Sequence, residues 1–293
     1  MRVFVTGATG FVGTAVVREL VGAKHEVLGL ARSDAGAEAL RKLGAQVHRG
    51  EMERLETLAS GAREADAVIH LAFSHDFSKF AENGAAERRA IAALGEALSG
   101  TKKLLLVTSG TGLTSASGRP ATEDDEPASS GAVPRAPETA ARAFEGRMRV
   151  GVVRLPQVHD TIKAGLVSMM IAIAREKGFV AYVGDGSSCF AAAHVTDVAR
   201  VYRLALDKTG GFARYHAVAE EGVPMRAICD VLAKGLGLPV RSIAPEDASS
   251  YFGWMAHFAS HDMRASSDAT RRVLGWSPTG PTLVEDLSKL AWV

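Results

Sequence analysis

The sequence is poor in cysteine, in tyrosine and in net charge, and it has no long apolar run. Its two cysteines, Cys189 and Cys229, are far apart in the chain. They supply neither a disulfide framework nor zinc-ligand spacing, so both read as small buried apolar residues. The 34 basic and 33 acidic side chains leave a formal charge of +1. No global field holds a polyanion and no local basic patch replaces it, so nucleic acid is not an expected partner. Apolar runs such as residues 104–107, or 165–174 with Ser168 inside it, fall short of the roughly 20 residues of a membrane span. The first strand is expected from residue 2, with no room for a signal peptide, and the expected location is the cytoplasm. His25, His48, His216, His257 and His261 do not group with acids as a metal site would require, so no metal is expected.

Of the 293 residues, 47% are hydrophobic and 30 are glycine, enough for one large α/β domain or a nucleotide domain with a smaller partner. Residues 2–6 read as a strand, 7–13 as a glycine turn and 14–21 as an amphipathic helix. Strands at 26–30, 45–48, 66–70, 102–108 and 149–154 alternate with helices at 35–43, 81–98 and 138–147. That alternation predicts an α/β fold, a Rossmann-type doubly wound parallel sheet. Residues 109–137, rich in Gly, Ser, Thr and Pro with the acidic run 123–126, read as a functional or mobile loop at a strand's ligand-binding end. After residue 157 the alternation loosens, with helices at 162–177, 197–206, 224–236, 245–258 and 267–274 and strands near 180–183 and 214–218. The expected organisation is a nucleotide domain over 1–157, to which 191–218 returns, and a smaller substrate-binding domain over most of 158–293.

The stretch Thr6-Gly7-Ala8-Thr9-Gly10-Phe11-Val12-Gly13 lies after a strand and before a helix, the context of a dinucleotide turn. Gly7 permits the turn, Gly10 lets backbone approach a pyrophosphate, Gly13 lets the helix pack closely, and the N–H groups of the helix start, Phe11 and Val12 included, face the phosphates. The second strand ends in Ala31-Arg32-Ser33, where an NAD site carries an acid. Arg32 can pair with a 2′-phosphate and Ser33 can donate to it, which favours NADP (NADPH). Asp34 is the counter-candidate, read as a helix N-cap.

Further motifs are 66–72 (DAVIHLA), 107–110 (VTSG), 153–156 (VRLP), 184–186 (GDG), 194–199 (HVTDVA) and 274–278 (LGWSP). With the glycine turn they cover nearly the whole chain, which resembles the short-chain dehydrogenase/reductase superfamily in its extended and atypical epimerase/dehydratase-like branches. The resemblance implies that Leu71, Ala72 and Phe73 line the nicotinamide ribose, that Glu51 and Met52 approach the adenine, and that Leu155 to Val158 pass the nicotinamide. Ser109 falls where that family's catalytic hydroxyl bonds the substrate oxygen beside the cofactor. Family members often dimerise through the helices equivalent to 81–98 and 138–147, so a homodimer is expected.

The family's Tyr-x-x-x-Lys dyad is missing. No tyrosine precedes Tyr182 and no lysine lies between Lys103 and Lys163. Counted back from residues 153–156, the two places hold Pro134 and Glu138. The residues 187–193, SSCFAAA, stand where sugar-nucleotide members commonly place an arginine, and an apolar lining cannot compensate a diphosphate. The expected substrate is therefore a small, uncharged carbonyl compound. Ser109 is the expected oxyanion donor, the competing reading being a hydroxyl that caps a loop turn. His75, oriented by Asp76, is a candidate proton donor near neutrality, unless Asp76 merely caps a turn. Tyr182 is the tyrosine expected within reach of a carbonyl, and His159 is either a substrate contact or a surface-loop histidine. The expected activity is NADPH-dependent carbonyl reduction. Alternatives are an epimerase or dehydratase that keeps its cofactor, and a non-catalytic NADP-binding sensor.

Overall fold

In the computed structural model, residues 1–76, 79–114, 118–128 and 135–292 are described. The first half runs β1 (Arg2–Thr6), α1 (Phe11–Gly22), β2 (Glu26–Ala31), α2 (Asp34–Lys42), β3 (Gln46–Arg49), α3 (Leu55–Arg63), β4 (Ala67–His70), α4 (Phe80–Leu98), β5 (Leu104–Gly110), α5 (Pro137–Arg142) and β6 (Arg149–Leu155). The second half runs β7 (Gln157–His159), α6 (Gly165–Lys177), β8 (Val180–Val183), β9 (Cys189–His194), α7 (Val195–Lys208), β10 (Phe212–His216), β11 (Glu220–Pro224), α8 (Met225–Leu236), β12 (Val240–Ile243), α9 (Ala248–Phe252), α10 (Ala256–Ser260), α11 (Asp268–Leu274) and α12 (Leu283–Leu287).

A seven-stranded sheet in the order β3-β2-β1-β4-β5-β6-β10 forms the frame, and every pairing in it is parallel. Alternate residues of each strand feed opposite faces. Val3 and Val5 join Val16, Leu20, Val198 and Tyr202 on the side of α1 and α7. Phe4 joins Leu58, Ile91 and Leu94 on the side of α3 and α4. Burial on both faces explains why these strands are continuous apolar runs. The chain reverses its lateral direction between β1 and β4, so the crevice beyond their C-terminal ends is the fold's ligand site.

The second core gathers α6, α8, α9 and the C-terminal helix around Phe190, Met225, Ile228 and Leu283. It carries a three-stranded sheet, β11-β9-β7, and a pair, β12-β8. The segment 191–218 divides between the two units: residues 191–194 end β9 in the small sheet, whereas α7 packs on α1 and β10 extends the large sheet. α3 is absent from the sequence reading because no side chain caps its start and its buried face is only Leu58, Gly61 and Ala62. The helix expected over 245–258 is broken at Gly253, whose φ of +57° ends α9. The helix expected from 162 starts at Gly165, because Asp160 takes the N–H groups of Ile162 and Lys163 into a turn. The helix expected over 138–147 stops at Arg142. Cys229 is buried but Cys189 is only half-buried. No helix among the described residues is long and apolar enough to cross a membrane.

Candidate active site

The glycine turn is locked against the end of β4. Gly7 has φ +65°, and a Cβ there would stand 2.7 Å from both the carbonyl carbon of Leu71 and the amide nitrogen of Ala72. A Cβ at Gly13 would lie 2.0 Å from the Gly7 carbonyl oxygen, so α1 can seat on the turn only through glycine. Gly10 caps α1 with no side-chain bond and no acid follows in its first turn, leaving the N–H groups near Phe11 and Val12 open to an anion. Thr9 sits on the same turn, its methyl 3.3 Å from where a Cβ of Gly36 would be. This cradle fits a dinucleotide diphosphate.

At the far end of the crevice Arg32 is exposed and has no ion pair or hydrogen bond among the described residues. Ser33, not Asp34, caps α2, its Oγ accepting from Gly36 N at 3.1 Å. Asp34 is instead the first helical residue and pairs with Arg49. Ser33 keeps its own proton to donate, and Arg49 balances Asp34. Glu51 pairs with Arg54 at 3.4 Å, and Met52 packs, partly buried, at the margin of the core on the α3 and α4 side of the sheet.

Ser109 lies inside β5, opposite Arg154 of β6, so it is not a loop-turn cap. It is 2% exposed, and its Oγ has no hydrogen-bond partner among the described residues. A buried hydroxyl without a partner costs free energy unless a ligand supplies one. Below it Thr108 donates to the His70 carbonyl at 2.8 Å and takes the hydroxyl of Tyr202 at 2.7 Å. Burial pushes the Tyr202 hydroxyl up, out of range of acid work near neutrality. His70, paired with Thr6 Oγ1 at 2.8 Å, is pushed down to about 3 by burial and the charge of Arg135.

Arg135 is the residue that sequence reasoning missed. Its guanidinium sits 4.1 Å from the Phe73 ring centre and grips Glu87 at 2.9 and 2.7 Å. It also donates to the Thr108 carbonyl at 3.1 Å, one residue from Ser109. Burial raises the Glu87 carboxyl, against the opposing pull of Arg135. The counted dyad positions give no hint of this cation. Pro134 lies outside the described residues, and Glu138 is held by Arg154 at 2.7 and 2.8 Å and by Arg214 at 3.1 Å. Arg154, 0% exposed, also donates to the carbonyls of Thr122 and Asp125. The acidic run is thereby pinned, with Glu123 buried and accepting from Thr270, and residues 119–128 are an anchored strap rather than a free loop.

His75 rests edge-on against Phe73, with ring centres 5.3 Å apart. Although exposed at the rim, it is crowded by neighbouring atoms, and that desolvation, then Arg135 and Lys163, lowers its imidazole from the ordinary 6.5. That direction works against the charged form near neutrality and moves proton donation by His75 toward lower pH. The carbonyl of Asp76 accepts from Lys79 N and the Asn83 amide at the entry to α4.

Leu155 ends β6, and Val158 is buried in β7. His159 is not a surface-loop residue: it is 0% exposed on β7, donating from Nδ1 to Asp286 at 2.8 Å. Its Nε2 is buried without a partner among the described residues, and burial lowers its imidazole despite Asp286. Tyr182 lies on β8 beside Arg226 and Gly186, and none of its described contacts is with Ser109 or His75. Residues 189–194 form β9, with Phe190 and Ala191 to Ala193 buried. They are core rather than cleft lining, and Arg264 lies nearby, its Cγ 2.6 Å from where a Gly222 Cβ would be. Being buried strand, residues 190–193 do not count against a diphosphate-bearing substrate as the sequence suggested. A hollow lined by Met1, Asp66, Lys102 and Arg149 lies at the opposite edge of the sheet, away from these groups. No cluster of three or more metal-ligating side chains occurs among the described residues.

The model of the NAD dependent epimerase/dehydratase family matches residues 3–217. An uncharacterized protein of Schizosaccharomyces pombe is 42% identical over 300 residues, covering 100% of both chains. Pinoresinol reductase 1 of Arabidopsis thaliana is 25% identical over 213 residues, 68% of this chain and 62% of that protein. The dTDP-glucose 4,6-dehydratase DesIV of Streptomyces venezuelae, solved with NAD, superposes with a TM-score of 0.75 at 21% identity, covering 100% of this chain and 96% of that one.

Proposed function

The chain belongs to the NAD dependent epimerase/dehydratase family, whose chemistry is NAD(P)-linked oxidoreduction, and on that footing we propose that it reduces a small carbonyl compound with NADPH. The observation that carries this reading is the buried Ser109 Oγ without a partner, at the C-terminal end of β5 beside the crevice. The glycine turn and the start of α1 would hold the dinucleotide, whose reduced nicotinamide would supply the hydride there. Ser109 donates its hydroxyl proton as a hydrogen bond to the carbonyl oxygen, where negative charge develops. The positive guanidinium of Arg135, one residue from Ser109 through the Thr108 carbonyl, adds to the potential at that oxygen. His75 in its protonated form passes a proton to the alkoxide. General acid help is typically worth about 10²–10⁴-fold, so a site without the tyrosine still turns over, more slowly.

The reading of NADPH over NADH is supported by the unpaired Arg32 and by the donor left on Ser33, with Asp34 paired to Arg49. The name of the Arabidopsis relative, a reductase, agrees with the direction proposed. Epimerisation or dehydration calls for a base to abstract a proton, and no tyrosine and lysine stand in the dyad's register. The test is NADPH oxidation over a panel of ketones and aldehydes with wild type and Ser109→Ala. Turnover reduced by about 10²-fold in the variant is expected. Tight NADPH binding with no turnover on any carbonyl sinks the proposal.

A further inference from the structure

The cation that closes the crevice from the other side is Lys163. It stands on the turn between β7 and α6, whose backbone is tied by a set of hydrogen bonds that leaves the lysine's own side chain out. Asp160 accepts the N–H groups of Ile162 and Lys163, both at 2.7 Å, and its own N–H donates back to the Lys163 carbonyl at 2.9 Å. His159 bridges to Ala164 and is anchored from α12 by Asp286. The Gln157 side chain accepts from Leu166 N at 2.8 Å. The turn is thus anchored at both flanks by the second unit.

The ammonium group, in contrast, has neither an ion pair nor a hydrogen bond among the described residues. Its one described contact is the Phe11 ring, 5.8 Å from Nζ to the ring centre. Phe11 is the first residue of α1, on the uncapped helix start that faces the diphosphate. Cation–ring attraction at that distance and exposure is weak, and a phosphate oxygen draws the ammonium away from it readily. The charge also reaches His75, which lies past the end of β4, at the opposite end of the crevice from Arg32.

We propose that Lys163 binds the dinucleotide's diphosphate from across the crevice, at the phosphate nearer the nicotinamide, giving the cofactor a contact from each unit of the protein. Arg32 and Lys163 then divide the anion between them, the first at the adenosine end and the second near the reacting end. This rests on the reading that the glycine turn binds NADPH.

The test is equilibrium binding, read by the fluorescence of NADPH and by displacement with adenosine 2′,5′-bisphosphate, which lacks the nicotinamide-side phosphate. Lys163→Gln is expected to weaken NADPH about tenfold, the scale of one charge-assisted hydrogen bond. It is expected to leave adenosine 2′,5′-bisphosphate within about twofold, and Lys163→Arg is expected to keep most of the NADPH affinity. If wild type prefers NADH, the same pair of measurements is made with NADH and AMP. NADPH affinity unchanged in Lys163→Gln overturns the assignment while leaving the cofactor reading intact, as does equal weakening of NADPH and the fragment. Wild type that binds neither dinucleotide overturns the cofactor reading itself, and the lysine's role with it.

Discussion

Arg135 and Phe73 meet face to cation, 4.1 Å apart, with Glu87 on the guanidinium's other donors. The pair Arg135–Glu87 is 15% and 1% exposed at the side chains, so neither charge is well solvated. Removing one partner of such a pair leaves the other buried alone, at a cost of about 3–5 kcal/mol. We expect Arg135→Met to destabilise by about 3 kcal/mol in urea unfolding, and Glu87→Gln added to it to restore most of that. A single variant that costs less than about 1 kcal/mol would remove the pair from the site's supports.

Ser109→Ala removes a hydroxyl whose Oγ makes no described bond, so folding loses little. If the hydroxyl acts on the developing oxyanion, kcat falls by about 10²-fold with NADPH affinity kept within about twofold. A loss shared equally by kcat and cofactor binding would mean that Ser109 shapes the crevice without touching the reacting oxygen.

Arg32 has no described partner, so Arg32→Ala breaks nothing in the free protein. The prediction is a drop of about tenfold or more in affinity for NADPH and little change for NADH, the worth of one charged pair to a 2′-phosphate. An unchanged preference between the two dinucleotides contradicts the NADP assignment.

His75 is held below its ordinary 6.5 by crowding and then by Arg135 and Lys163. As proton donor it must be charged, so the fraction of competent enzyme grows as pH falls, with an inflection below 6.5. Carbonyl reduction is expected to speed up toward acid over that range, and His75→Gln to flatten the profile. A rate that rises toward alkaline pH assigns the proton to another group.

His70 sets part of the acid sensitivity of the fold. Folded, its imidazole is pushed to about 3 from 6.5, while the unfolded chain titrates normally. Above 6.5 both states are neutral there and the fold is not penalised. As pH falls from 6.5 toward 3, the unfolded chain takes a proton that the folded one refuses. Stability then drops, by up to about 1.4 kcal/mol per pH unit for this one group. His70→Asn should make the urea midpoint less dependent on pH in this window than in wild type. An identical slope would leave His70 out of the acid response.

Much of the nucleotide half was legible from residues 1 to 110, because strand, glycine turn and helix there follow one another within a few residues. Their periods of 2 and 3.6 are local properties of the chain. The small sheet was not legible. Its strands are three to six residues long, and β11 departs from register between Glu220 and Val223, so no alternation survives to be read. The same limit applied to residues 187–193, whose apolar letters describe a buried strand as well as they describe a cleft wall.

The sequence by itself determined the glycine turn between β1 and α1 and the absence of a tyrosine and lysine in the dyad's register, since both depend only on residue identity and spacing. Tertiary structure decided what stands in the crevice instead. Arg135 meets Glu87 across 48 residues of chain, His159 meets Asp286 across 127, and Lys163 reaches Phe11 from the other unit. Such pairs are fixed by the order in which strands pack, which no local period encodes, and by the cost of leaving a buried charge alone, which is felt only once the chain has closed around it.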